Sequence, residues 1–138
     1  MDLQTLTIKK ARELMINKEL TSSELVSACI ENVDKRNGEL NAYLEVFDDA
    51  VMEAERADKE INSGRAENKP LLGIPFAIKD NILIKGKISS AGSKMLENYR
   101  AAYNATVIKK LRGAGAIFLG RTNMDEFAMG ASTENSAF

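Results

Sequence analysis

Apolar positions change period along this chain, and the changes mark its elements. From Thr7 to Ile16, Ile8, Ala11 and Met15 recur at i, i+3 and i+7, one stripe of a short helix that Asn17 and Lys18 break. Thr21-Ser22-Ser23-Glu24 has the form of a capping box, Thr21 at the N-cap and Glu24 at N3. It predicts a second helix with Leu25, Val26, Cys29, Ile30 and Val33 on one face and a left-handed stop at Asn37-Gly38. Ala42 to Phe47 reads as a strand. Asp48 or Asp49 then caps a helix whose Ala50, Ala54, Ala57 and Ile61 repeat at helical spacing, with Glu53, Glu55, Lys59 and Glu60 on a solvated face. Gly64 stops it inside a polar loop, Asn62 to Lys69.

The most apolar run, Pro70 to Lys85, has a lysine and an aspartate in its middle. At period two, Ile74, Phe76, Ile78, Ile82 and Ile84 share one face, and Ala77, Lys79, Asn81 and Leu83 share the other. The pattern places Lys79 on a buried strand. Lysines are seldom fully buried unless paired or used, and desolvation disfavours the charged form of an amine, leaving one able to take a proton. The competing reading is structural: Lys79 marks a strand end and snorkels to water, or pairs with Asp80. Structural lysines outnumber catalytic ones, so the pattern by itself leans that way.

Beyond Lys85, Ser89, Ser90 and Ser93 sit in a Gly- and Ser-containing segment that reads as turn chemistry. Asn104 is a candidate cap for a helix with Val107, Ile108 and Leu111 inward, ended by Gly113 and Gly115, and Ala116 to Gly120 is a short buried strand. Strand, helix, strand predicts a βαβ unit with parallel strands. Asn123 with Glu126 opens one more helical turn, and Met129 to Ser136 is a small polar loop able to offer backbone N–H groups to a ligand or simply to connect. The expected fold class is α/β, with helices flanking a mixed sheet centred on the Lys79 strand. Residues 1–138 are read as part of one domain, with a helical region over 1–69 and the lysine strand and βαβ unit over 70–138.

Composition narrows the chemistry. The net charge, 19 − 20 = −1, gives no basic field for nucleic acid. No apolar run is long enough to span a bilayer and no secretory signal is visible, so a soluble cytoplasmic protein is expected. Cys29, the one cysteine, lies in an apolar stripe and reads as a small buried hydrophobe. Histidine is absent, which excludes Ser-His-Asp and Cys-His pairs and the usual zinc sites within this chain. Lysine is then the residue able to act as a strong base once desolvated.

Two stretches carry a resemblance. Leu72-Gly73-Ile74-Pro75-Phe76-Ala77-Ile78-Lys79-Asp80-Asn81 resembles the lysine-bearing strand of the amidase signature family. Gly120-Arg121-Thr122-Asn123-Met124-Asp125-Glu126-Phe127-Ala128-Met129-Gly130, continuing through Ser132 to Phe138, resembles a branch of it, the A subunits of the glutamyl-tRNA(Gln)/aspartyl-tRNA(Asn) amidotransferases. The first motif is shared by many amidases; the second, long and gapless, is more specific. The likeness runs along essentially the whole chain and covers only the N-terminal part of the family's length. It implies the N-terminal portion of the amidase signature fold and a Ser-Ser-Lys triad. In that triad one serine attacks an amide carbonyl, and a second, on a cis peptide, relays its proton to an unprotonated lysine. Carried over by position, Lys79 is the base, and Met129 and Gly130 lie in a loop whose backbone helps hold the substrate.

The family's two serines follow shortly after the position of Phe138. No GGSSGG-like run occurs here, so this chain alone is expected to be inactive. The resemblance further implies that the parent hydrolyses glutamine and passes ammonia to the B subunit of the amidotransferase. That partner uses ATP and magnesium to convert tRNA-bound glutamate to glutamine, with a small C subunit bracing the heterotrimer. No cofactor or metal is expected on this chain, and tRNA is reached through the B subunit. Two other readings stay open: a stand-alone amidase of the same family, and a non-catalytic fragment that only docks onto a partner.

Overall fold

A computed structural model describes residues 3–66 and 68–138. The chain forms helices α1 (Ile8–Ile16) and α2 (Ser22–Leu40), strand β1 (Tyr43–Val46), helix α3 (Ala50–Asn62), strand β2 (Pro75–Lys79), helix α4 (Thr106–Gly113) and strand β3 (Ile117–Thr122). Short 3-10 turns at Lys94–Leu96 and Glu126–Ala128 punctuate the second half. The three strands make a mixed sheet in the order β1-β3-β2. β1 runs antiparallel to β3, and β2, joined to β3 through α4, runs parallel to it. The α/β class and the parallel βαβ pairing are as expected. The centre of the sheet is not: β3 takes both sets of pairs, and β2, with Lys79 at its end, lies at the edge among the described residues.

Helices cover both faces. Ile117 and Leu119 pack on Val26 of α2 and on Ala50, Ala54 and Ala57 of α3, the small residues letting α3 approach closely. Phe118, between them, faces the other way, onto Ile78, Ile84, Phe47 and Ile108 of α4. A third cluster ties α1 and α2 to the start of β2 through Ala11, Met15, Leu20, Leu25 and Ile74. The interior thus joins 1–69 to 70–138, with β1 hydrogen-bonded directly to β3.

The capping box forms, with Thr21 Oγ1 accepting from Glu24 N and the Glu24 carboxylate accepting from Thr21 N. α2 runs past Asn37-Gly38 to a left-handed cap at Asn41 (φ 49°), and the half-buried Asn37 side chain bonds both the N–H and the carbonyl of Tyr43. Asp49 holds the N-cap position of α3 without a side-chain cap and pairs instead with Lys87. Asn104 does not cap α4; its side chain accepts from Lys85 N, and Val107 faces solvent. Ile8 is likewise exposed rather than part of the α1 stripe. Cys29 is half-buried against two of the clusters, and burial raises its thiol pKa.

Candidate functional site

β2 ends in two residues that alternate across the sheet, so they meet opposite environments. Ile78 and Asp80 point inward; Ala77 and Lys79 are exposed. The expectation of a buried Lys79 is therefore corrected. α2 and α3 cover the sheet at the level of Ile117 and Leu119, and nothing among the described residues covers the open end of the edge strand. The buried member of the Lys-Asp pair is Asp80, 1% exposed, and its ion partner is Arg121, not Lys79.

Arg121, at the end of β3, reaches Glu45 with Nε at 2.8 Å and Asp80 with Nη1 at 2.9 Å. Burial works to lower the guanidinium pKa, but the hydrogen bonds and charges of Asp80 and Glu45 outweigh it and hold the pKa above its ordinary value. The Asp80 carboxylate also accepts from Ser90 N, Ser90 Oγ and Gly92 N. Ser89 Oγ donates to the Asp80 carbonyl, and Ser93 Oγ donates to Glu126. All three serines are buried and bonded within the fold, as turn chemistry predicts.

The segment after β3 folds around a second buried acid. Asp125 accepts from Asn135 N at 3.0 Å and Thr133 N at 2.9 Å. These bonds, first Asn135 and then Thr133, hold its carboxyl below the usual carboxylate range against the opposing effect of desolvation, and the positive charge of Lys79 adds to the lowering. The lysine amine and this loop thus share one neighbourhood. Gly130 passes so close to Asp125 that a Cβ there would collide with the carboxylate. Met129 stands 75% exposed beside it. Phe127 (φ 51°), Ala128 (φ 61°) and Thr133 (φ 64°) are left-handed, a strain that surrounding bonds must offset. Asn123 does not open a helix as expected; its side-chain oxygen accepts from Ser136 Oγ, and Asp125 stands at the N-cap of the 3-10 turn.

The three expected site residues are all exposed, Lys79 at the strand end and Met129 and Gly130 on the loop that Asp125 gathers; Gly130 lies against the Asp125 carboxylate, and the charge of Lys79 acts on that same carboxylate. Sequence reasoning missed Asp80, Arg121 and Asp125 as organisers. A usable signal was present: parallel strands from one βαβ unit bring an acid ending the first beside an arginine ending the second.

Comparison with known proteins places the chain in a family. The family model described as Amidase matches residues 24–138. The A subunit of the glutamyl-tRNA(Gln) amidotransferase of Brachyspira hyodysenteriae is 47% identical over 142 aligned residues, covering 100% of this chain and 29% of that protein. The structure of native peptide amidase from Stenotrophomonas maltophilia superposes with a TM-score of 0.84 at 34% identity, covering 91% of this chain and 26% of that one. The glutamyl-tRNA(Gln) amidotransferase A subunit from Thermotoga maritima gives a TM-score of 0.74 at 33% identity, covering 100% of this chain and 27% of that one. The chain spans 27–29% of the length of these amidotransferase subunits. Motif, fold and overall likeness agree: the chain belongs to the amidase family.

Proposed function

We propose that these residues are the N-terminal part of a glutamine-hydrolysing amidotransferase subunit, and that Lys79 is the base of its Ser-Ser-Lys triad. The observation that supports the reading is Asp125, whose carboxylate lies against Gly130 and feels the charge of Lys79, so that residues of two sequence-distant motifs, both exposed, act on one group. Glutamine binds against the 129–130 backbone. A serine hydroxyl attacks its side-chain amide carbon, and a second serine takes the attacking proton and hands it to the Lys79 amine. The proton then goes to the leaving nitrogen as the C–N bond breaks, releasing ammonia and leaving an acyl-serine that water hydrolyses to glutamate.

Both serines come, in this reading, from polypeptide outside the 138 residues, and that segment supplies the dry cover which an exposed lysine lacks here. Ammonia passes to a partner, the B subunit, which with ATP and magnesium amidates the glutamate on tRNA, and a small C subunit braces the pair. Among the described residues no helix is long and apolar enough to cross a membrane; a cytoplasmic location belongs to the proposal.

A second reading, a stand-alone amidase, is favoured by the higher TM-score against peptide amidase. One assay separates them. The complete subunit, combined with its partners, is tested for amidation of Glu-tRNA(Gln) with glutamine or with ammonium as nitrogen donor. The amidotransferase reading expects both donors to work and Lys79→Ala to abolish only the glutamine-dependent reaction. Hydrolysis of peptide or simple amides without partners, and no tRNA amidation with either donor, would replace it with the second reading.

A further inference from the structure

The Asp80 carboxylate takes four hydrogen-bond donors: Ser90 N and Gly92 N at 3.1 Å, Arg121 Nη1 at 2.9 Å, and Ser90 Oγ. Four donors satisfy the lone pairs of a carboxylate, which is how a charge persists in a site where its side chain is 0% exposed. The backbone of Asp80 is committed as well. Its N–H donates to Thr122 O at 3.2 Å, and its carbonyl accepts from Ala91 N at 3.2 Å and Ser89 Oγ at 2.7 Å. The residue after Lys79 thus grips β3 on one side and the Ser89–Gly92 turn on the other.

That turn passes the constraint on. Ala91 (φ 50°) and Gly92 (φ 67°) are both left-handed, and a Cβ on Gly92 would lie 2.6 Å from the Met124 carbonyl oxygen. So bent, their carbonyls accept from Phe127 N at 2.8 Å and Ala137 N at 2.9 Å. Those amides lie near the two ends of the segment that carries Met129 and Gly130. One buried carboxylate therefore links the strand that carries Lys79 to the segment that carries Met129 and Gly130.

We propose that Asp80 and Arg121 are positioning residues: their buried ion pair holds the Ser90–Gly92 turn against the end of β2, and through that turn sets where residues 127–137 stand relative to the Lys79 amine. The proposal rests on the reading of Lys79 as the base. Charge is the operative property. Asp80→Asn keeps the volume but puts an NH₂ where only acceptors fit, so at least one of the four donors faces another donor and the turn must move. Misplacement of a reacting group by about 1 Å can cost roughly 10²-fold in rate.

The test uses the complete subunit with its partners and the variants Asp80→Asn, Ser90→Ala and Lys79→Ala. Glutaminase kcat and KM are measured beside amide hydrogen exchange at Phe127 and Ala137, with Phe47, whose N–H donates to Leu119 O, as the reference inside the sheet. For Asp80→Asn we expect kcat to fall about 10²-fold. Exchange at Phe127 and Ala137 should quicken by about tenfold or more while Phe47 keeps its protection. Ser90→Ala, which removes one donor and leaves the ion pair, should lose about tenfold in kcat with the same local pattern, and it decides the matter if Asp80→Asn does not fold.

Rates within roughly twofold of the parent with both loop amides protected would overturn the proposal. So would an equal loss of protection at Phe47, since the pair would then serve general stability. An unchanged rate in Lys79→Ala would instead remove the reading of Lys79 as the base, with the exchange result still reporting on the turn.

Discussion

Replacing Arg121 with methionine removes the cation from two carboxylates at once, and the structure says they should not count equally. Glu45 is 38% exposed, so its pairing at 2.8 Å is worth under about 1 kcal/mol in water-screened surroundings. The Asp80 side chain is 0% exposed. Stripping one partner from a buried pair costs about 3–5 kcal/mol when the remaining charge has nothing else. Asp80 keeps three other donors, which lowers the expected loss to about 2–4 kcal/mol. Urea unfolding followed by circular dichroism reads this directly. With m of about 1–3 kcal/mol/M, a loss of about 3 kcal/mol moves the midpoint down by roughly 1–3 M at unchanged m.

Glu45→Gln should move the midpoint by far less. The double variant Asp80→Asn/Arg121→Met should lose less than the sum of its single changes, with a coupling of about 1–3 kcal/mol. If Arg121→Met costs no more than Glu45→Gln, the Asp80 carboxylate is not the desolvated hub described above.

Three further outcomes are expected. Gly115→Ala should destabilise by about 2 kcal/mol or more in the same unfolding assay, because φ is +90° and the added Cβ would sit 2.7 Å from Leu72 Cα. Asp125 has its folded pKa lowered, chiefly by Asn135 N and then Thr133 N, so the stability it adds is complete above its ordinary unfolded value and is lost as pH falls through the lower folded one. The gap in urea midpoint between parent and Asp125→Asn should accordingly be wide at neutral pH and shrink in strong acid; a gap that does not vary with pH contradicts the assigned bonds. The 138 residues prepared alone should hydrolyse no glutamine and should self-associate in sedimentation velocity, given the unpaired edge of β2 and exposed Met95, Tyr103 and Met129. A clean monomer would count against the open face being sticky, and glutamine turnover would mean a nucleophile within these residues.

Much of the fold was legible because local signals agreed with the packing. The Thr21–Glu24 box, the alanine stripe of α3 and the apolar run of β3 each act over a few residues, and each forms as read. Polar residues at element ends were harder. Asn37, Asp49, Asn104 and Asn123 look like helix punctuation, but Asn37 spends its side chain on Tyr43 just beyond the helix, and the other three spend theirs on contacts from farther away along the chain. Lys79 shows the deeper limit. Period two correctly separated the face of Ile78 from the face of Lys79, but periodicity cannot say whether the second face is covered. Likewise, Asp80 was read as a possible partner for its neighbour in sequence, while its actual partner Arg121 comes from the adjacent parallel strand.

The most direct measurement is single-turnover glutamine hydrolysis by Lys79→Ala in the complete subunit, with folding verified by an unchanged unfolding midpoint. A positioned base whose removal leaves binding in place predicts a rate about 10²- to 10⁴-fold below the parent and an ammonia-dependent activity that survives. Hydrolysis at the parent rate would show that the amine on this open face takes no part in the reaction.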